Sequence, residues 1–156
     1  MRKLTVVLCL AAAVALPFLA QAREVTFTTE LKPYGGDGAY LALYLTDANG
    51  QYRRTLWLAG AKSKYYKHLR DWARGSGLRS SEYDGLTGAS VGSGRSLKIT
   101  VDLADELIDA GYQVRVDTAV EDMRDNRADV VVPLTSEGAG KPVSGRGYVQ
   151  SFTYDL

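Results

Sequence analysis

From Arg23 onward apolar residues recur at every second position, and that period of two confines most of the chain to β-strands. In "EVTFTTE" Val25, Phe27 and Thr29 share one side, and in "AYLALYLTD" Leu41, Leu43 and Leu45 share a face opposite Tyr40 and Tyr44. "DANGQ" follows, whose Asn49-Gly50 pair is a strong hairpin signal, and "YRRTLWLAG" returns as the partner strand. Leu97, Ile99 and Val101 alternate in "SLKITVD", as do Tyr112, Val114, Val116 and Val120 in "YQVRVDTAVE". With "ADVVVPL" and "GYVQSFTY" the strands number about seven. Even spacing and Gly, Asn and Asp turns predict a mainly β fold, an antiparallel β-sandwich.

One segment departs from that period. Between Lys62 and Arg74, Tyr65, Leu69 and Trp72 fall at i, i+4 and i+7, one face of an amphipathic helix, while Lys62, Lys64, Lys67, Arg70 and Arg74 take the other faces. This predicts a single helix packed by its aromatic stripe on the sandwich and ended by Gly75-Ser76-Gly77. A second short helix or turn is expected around Leu103 to Ala110, with Gly111 releasing the next strand. No internal repeat, low-complexity tail or linker divides residues 23–156, which read as one domain.

The first 22 residues read as a secretory signal peptide. Arg2 and Lys3 precede the apolar run "LTVVLCLAAAVALPFLA", and Ala20-Gln21-Ala22 supplies a small-x-small cleavage site after Ala22. A membrane anchor would need roughly 20 unbroken apolar residues, and Pro17 interrupts this run. The expected location is therefore the periplasm, with no membrane span in the mature chain. Cys9, the single cysteine, leaves with the signal, so disulfides, thiol nucleophiles and zinc–thiolate sites are excluded from the mature chain. Loss of Arg2 and Lys3 turns the formal charge from +1 to −1, which gives no overall character of a nucleic-acid binder. The charge is uneven, however. Arg53 to Arg79 holds eight Lys/Arg against Asp71 alone, and Val101 to Glu137 holds ten acids against three arginines. Such segregation is either solvated surface or a docking or anion-binding face.

Few catalytic constellations are available. His68 is the only histidine, no G-x-S-x-G elbow occurs, and one His without Cys leaves only scattered carboxylates for a metal. The calcium-loop spacing is absent, and "GASVGSG" lacks the Lys-Ser/Thr ending of a phosphate loop. No catalytic and no metal-binding residues are assigned, and an enzyme with its own substrate is a weaker reading than a carrier.

What remains is "DGLTGAS": Asp84, two free positions, Thr87, Gly88, Ala89 and Ser90. It resembles the D-x-x-[ST]-G-A-[ST] acceptor motif of covalently flavinylated extracytoplasmic proteins, and every specified position matches. In that group a flavin transferase moves the FMN half of FAD onto the final hydroxyl as a phosphodiester, releasing AMP. The resemblance makes Ser90 the acceptor, with Thr87, Asp84, Gly88 and Ala89 completing the site. The residue types suit the chemistry, since the attacking hydroxyl needs an in-line approach and Gly88 and Ala89 keep bulk away from it. The metal clamp of such a phosphoryl transfer would belong to the transferase.

The stretch "YLALYLTDANGQYRRTLWLAGAKSKYYKHLRDWAR" and the loop after it are also similar to a predicted-periplasmic family of unknown function, number twenty-two seventy-one. A hairpin, a "KY..-L..W" helix and a TGA[ST] loop occur there in that order, and Lys64-Tyr65, Leu69 and Trp72 match. The resemblance spans most of residues 24–121, and the acidic "DLADELIDAG" departs from the family's Trp-Asp-Gly type of turn. It implies a periplasmic electron-transfer flavoprotein carrying FMN on Ser90, served by a flavin transferase and by a membrane-bound haem or reductase-like partner. Trp57, Tyr83 or another tyrosine is expected to stack on the flavin, and the basic run from Arg53 to Arg79 to raise its potential. The alternative is a secreted, non-redox β-sandwich, a binding or accessory protein in which the same loop is a plain glycine-rich connection.

Overall fold

The computed structural model describes residues 21–156, so the signal-peptide reading falls almost wholly outside the described residues. The strands are β1 (Ala22–Leu31), β2 (Tyr40–Thr46), β3 (Tyr52–Ala59), β4 (Thr87–Gly88), β5 (Ser96–Ala104), β6 (Gln113–Ala119), β7 (Asn126–Pro133) and β8 (Val149–Asp155). Three of them form an antiparallel sheet in the order β5-β1-β8, and five form a second sheet in the order β4-β3-β2-β6-β7. The mainly β sandwich expected from the alternation is therefore the fold. The additional strand, β4, lies inside the Thr87–Ser90 motif and pairs parallel with β3, the one departure from antiparallel pairing.

Alternation sets the two faces as the sequence implies. Val25, Phe27, Leu41, Leu43, Leu45, Val114, Val116 and Phe152 fill the space between the sheets. Each fully buried aliphatic or aromatic side chain there contributes about 1.5–3 kcal/mol. On β2 the other face is buried too. Ala42 and Tyr44 join Leu58, Tyr66, Leu69 and Trp72 in a second cluster on the outer side of the five-stranded sheet. The β2–β3 hairpin forms where Asn49-Gly50 indicated, through a longer loop than the two-residue type. Only Gly50 has positive φ, at 78°. Its N–H bonds the Asp47 carbonyl at 3.0 Å, and the Asp47 N–H bonds the Gln51 carbonyl at 2.9 Å. The Asp47 carboxylate also accepts the Asn49 and Gln51 N–H groups, which favours a three-residue loop closed by a left-handed glycine.

The helical segment differs from the single helix of 62–74. A 3-10 turn spans Ser63–His68 and α1 spans Arg70–Ser76, with Leu69 between them at φ −83° and ψ 75°. The buried stripe is Tyr66, Leu69 and Trp72, spaced by three as a 3-10 turn requires, so Tyr65 turns away from the core. Gly77 ends α1 in the left-handed conformation. The expected turn after β5 is a 3-10 turn at Asp105–Leu107.

No side chain of its own caps α1. Asp117 on β6, wholly buried, takes that part. Its carboxylate accepts the Trp72 N–H at 2.8 Å, the Ala128 N–H at 2.8 Å and the Tyr44 hydroxyl at 2.9 Å. Burial pushes its pKa up, against these three hydrogen bonds, which pull it down. The Ala128 contact holds a bulge in β7, where register shifts between Val116 and Thr118 and Ala128 takes φ 43°. A second buried carboxylate, Asp129, accepts Thr118 Oγ1 at 2.7 Å and the N–H groups of Gly147 and Tyr148 at 2.7 and 2.8 Å. It fixes the chain entering β8. Outside α1, the Trp72 indole N–H donates to Thr55, and Tyr52 bonds both Thr55 and Glu82.

Replacing Asp117 by Ala leaves three donors unanswered and is expected to cost at least about 3 kcal/mol, since each buried unmet group costs about 1–3 kcal/mol. Urea unfolding measures this, and a loss below about 1 kcal/mol would contradict it. The tyrosines give a pH signature. Burial raises the pKa of Tyr34, Tyr44, Tyr66 and Tyr148. Burial and the bond to Glu82 push Tyr52 up to about 12. Groups raised on folding bind protons more tightly when folded, so their contribution is full below about pH 10 and is lost as pH rises through the folded values. Chemical denaturation across alkaline pH should show stability falling from about pH 10 to 12, with Tyr52 ionising late by ultraviolet titration.

Candidate functional site

The motif loop is built from its ends inward. A 3-10 turn at Ser80–Glu82 leads into Tyr83, whose ring packs edge-on against Tyr66 at 5.2 Å and near Trp72 at 5.9 Å. The chain then turns at Asp84-Gly85, where the Leu86 N–H reaches the Tyr83 carbonyl at 2.9 Å and Gly85 has φ 77°. That positive φ at the third turn position is why glycine stands there. Next, the carbonyls of Leu86 and Gly88 accept the N–H groups of Leu58 and Gly60, both at 2.8 Å. Val91 then exchanges two backbone bonds with Ala39, at 2.7 and 2.9 Å. Ala89 and Ser90 are therefore a short exposed span stretched between two backbone anchors.

Glycines govern what lies under and over this span. A Cβ on Gly88 would stand 2.7 Å from Trp57 Cζ2, so the loop rests directly on the indole. A Cβ on Gly38 would run into Ser90 Oγ, so the Tyr34–Ala39 connection passes close against the serine because residue 38 is glycine. The Tyr34 hydroxyl steadies that connection by donating to the Asp37 carbonyl at 2.6 Å. Asp84 and Thr87 are both exposed. Thr87 lies on β4 within three residues of Ser90, and Asp84 belongs to the preceding turn.

Ser90 stands at the edge of a cleft of about 500 Å³, within the size range of small-molecule sites. Tyr40 and Tyr65 form one wall, their rings edge-to-face at 5.8 Å, and Val120 and Met123 form another. The Tyr40 hydroxyl accepts the Lys62 N–H at 3.0 Å. Asp37, Glu121, Asp122 and Asp125 supply acids to the lining, against Lys62 and His68. The His68 Nδ1 lies 3.1 Å from Asp125, which also takes the Arg70 Nε–H at 2.9 Å.

Trp57 and Tyr83 do not line the cleft. Trp57 supports the loop from beneath, with its indole N–H buried and unpartnered among the described residues, and Tyr83 belongs to the outer cluster. Tyr40 and Tyr65 are the aromatic side chains that line the cleft with Ser90, and Tyr65 points outward because the 3-10 phase buries Tyr66 instead. The basic run is dispersed as well. Arg53 pairs with Asp47, Arg70 with Asp125 and Arg79 with Glu82. Lys64 stands 4.9 Å above the Tyr65 ring, and Lys62 is the member of the run that lines the cleft. Gly38, Tyr40 and Met123 were missed in the sequence, where only the glycine cluster "GGDGAY" signals a close approach.

The residues present fit an FMN bound through a serine ester, with an accessible hydroxyl, a small-residue approach and an aromatic-walled cleft beside it. No group of three or more His, Cys, Asp or Glu side chains suited to a metal occurs among the described residues. None of their helices is long and apolar enough to cross a membrane.

A family model described as "Predicted periplasmic protein (DUF2271)" matches residues 22–151, and the chain belongs to that family. The match continues beyond residue 121, through the acidic turn and into β8. No curated protein and no solved structure matches the chain.

Gly88→Ala should lower stability by about 1–3 kcal/mol, the usual cost of forcing a methyl into a filled space. The two β3 bonds leave the loop little room to retreat from Trp57. Thermal unfolding of the purified variant tests it, and an unchanged melting temperature would mean that the loop does not rest on the indole.

Proposed function

We propose that this member of the predicted periplasmic family is exported, cleaved after Ala22, and carries FMN on Ser90 as an extracytoplasmic electron carrier. The observation that supports this reading most is the presentation of Ser90, exposed between the Gly88 and Val91 anchors at the mouth of an aromatic-walled cleft. Cleavage after Ala22 is compatible with the fold. It removes the Gln21 carbonyl that bonds the Asp105 N–H, and leaves the Arg23–Asp105 ion pair at 2.7 Å.

In the modification step the Ser90 Oγ attacks the FMN phosphorus of FAD. The phosphoanhydride bond to AMP breaks, AMP leaves, and the serine proton passes to the flavin transferase. This chain's contribution is positional. The anchors hold the hydroxyl in one place, and Gly88 and Ala89 leave the in-line direction clear. Thr87 and Asp84 give the transferase polar groups to recognise. Bound FMN supplies reversible electron transfer. Tyr40, Tyr65 and Val120 offer it an apolar wall that excludes water, and Met123, 41% exposed, is an adaptable surface at the rim. Of the charged side chains in the lining, Lys62 alone carries a permanent positive charge. The surrounding acids oppose accumulation of negative charge in the cleft and lower the potential of a group reduced there. The electrons would pass to a membrane-bound haem or reductase-like partner.

Ser90→Ala is expected to abolish covalent flavin while leaving the fold nearly unchanged, because an exposed hydroxyl contributes within about 0.5 kcal/mol. Ser90→Thr should retain part of the flavin, and Thr87→Ala should reduce it less completely. The measurement is in-gel flavin fluorescence after denaturation, with peptide mass mapping, in cells that co-express a flavin transferase. Persistent flavin in Ser90→Ala would move the attachment point. A flavin-free wild type under those conditions would leave the non-redox binding sandwich.

A further inference from the structure

The Ser90 cleft adjoins a second concavity of about 780 Å³, and the two share His68, Met123 and Asp125. The walls of this groove carry Arg70, Arg124, Arg127 and Arg146 against a single carboxylate, Asp125. All four arginines are exposed, and they converge from α1, from the β6–β7 turn, from β7 and from the turn before β8. Arg70 meets Asp125 through Nε at 2.9 Å, which leaves the terminal nitrogens of its fork outside that bond. Arg127 forms an ion pair with Asp71 at 3.6 Å, longer than a hydrogen bond. Arg124 and Arg146 have no ion pair among the described residues.

The backbone under these arginines is fixed. Beside Arg127, Ala128 is held at φ 43° by the buried Asp117 carboxylate. The Arg146 N–H bonds the Asp129 carbonyl at 2.9 Å, and the next N–H, of Gly147, bonds the Asp129 carboxylate at 2.7 Å. The Arg124 carbonyl accepts the Tyr148 hydroxyl at 2.6 Å. Two buried carboxylates thus fix the backbone next to Arg127 and next to Arg146. Strained backbone such as that at Ala128 is concentrated at sites of interaction. Gathering four guanidinium groups also raises mutual repulsion, which an anionic partner relieves.

We propose that this groove docks an acidic segment of a partner protein, whose Asp and Glu carboxylates the arginine forks clamp. Planar guanidinium groups match carboxylates in two-point contacts. The open, solvent-exposed setting of all four side chains suits a surface-to-surface encounter, where complementary charge sets rate and register. The charge and backbone geometry of this groove are the same whether or not Ser90 carries a flavin.

The test uses the mature, flavin-free chain and a fluorescein-labelled oligoglutamate peptide, read by fluorescence anisotropy at low ionic strength. Binding is expected, and the Arg124→Glu/Arg146→Glu double variant should weaken it by about tenfold or more. The Arg53→Glu/Arg54→Glu variant makes the same change in net charge on β3 and should leave affinity within about twofold. Melting temperatures equal to wild type confirm that both variants are folded. Equal weakening by the two variants, displacement of the peptide by an equimolar amount of inorganic phosphate, or absence of peptide binding would each overturn the proposal. Retention on anionic phospholipid vesicles without peptide binding would overturn it in favour of a membrane surface.

Discussion

Four elements meet at the carboxylate of Asp117, and none of them supplies it with a cation. The side chain reaches from β6 to the Tyr44 hydroxyl on β2, the Trp72 N–H at the start of α1 and the Ala128 N–H in β7. Desolvating a carboxylate costs several kcal/mol, and hydrogen bonds to a charged group return about 1.5–3 kcal/mol each. Three such bonds together return about 4.5–9 kcal/mol, enough to offset that cost. The one carboxylate thus ties the start of α1 to β2, β6 and β7. The helix that follows the Tyr65 turn and the bulge beside Arg127 are both held by this carboxylate, through Oδ2 and Oδ1 respectively.

How much of this was legible in the sequence depends on how local the cause was. The strands β1, β2 and β5 to β8 follow from alternation, because a half-buried strand has no other way to hide Val25, Phe27 or Leu43. The β2–β3 hairpin was legible as an event and its loop type was not, since the Asp47 carboxylate takes over two N–H groups that a two-residue turn would leave elsewhere. The helix was misread by phase. Tyr65 and Tyr66 are adjacent aromatics; α-helical spacing selects Tyr65, four residues before Leu69, whereas the 3-10 turn buries Tyr66, three before it, and Leu69 itself stands at φ −83° and ψ 75°. β4 was invisible for a different reason. Two residues carry no period, and their pairing rests on backbone bonds to Leu58 and Gly60, far away in sequence.

The candidate site divides along the same line. Ser90, Thr87 and Gly88 stand out as a linear motif, whereas Gly38, Tyr40 and Met123 join them through contacts distant in sequence. Charge shows this most plainly. A chain with one basic and one acidic stretch suggests two faces, yet folding interleaves them. Asp125 reaches across to His68 and Arg70, and the acidic stretch itself delivers Arg124 and Arg127 to the groove. The result is an acid-lined cleft beside an arginine-lined one, a pattern of alternating sign that neither stretch predicts alone.

The pairing of β4 with β3 also bears on solubility. At one side of its sheet β3 is the outermost long strand, and an open strand edge invites pairing with a second chain. Its first half is guarded by the charges of Arg53 and Arg54, both exposed. Its second half is covered by the Leu86–Gly88 segment, whose carbonyls take the Leu58 and Gly60 N–H groups. The segment that offers Ser90 to the solvent thus also seals the sheet. A partner that peeled it away to reach the hydroxyl would open a sticky edge at Leu58 and Ala59, so any chemistry at Ser90 is best done with the loop in place on a finished fold.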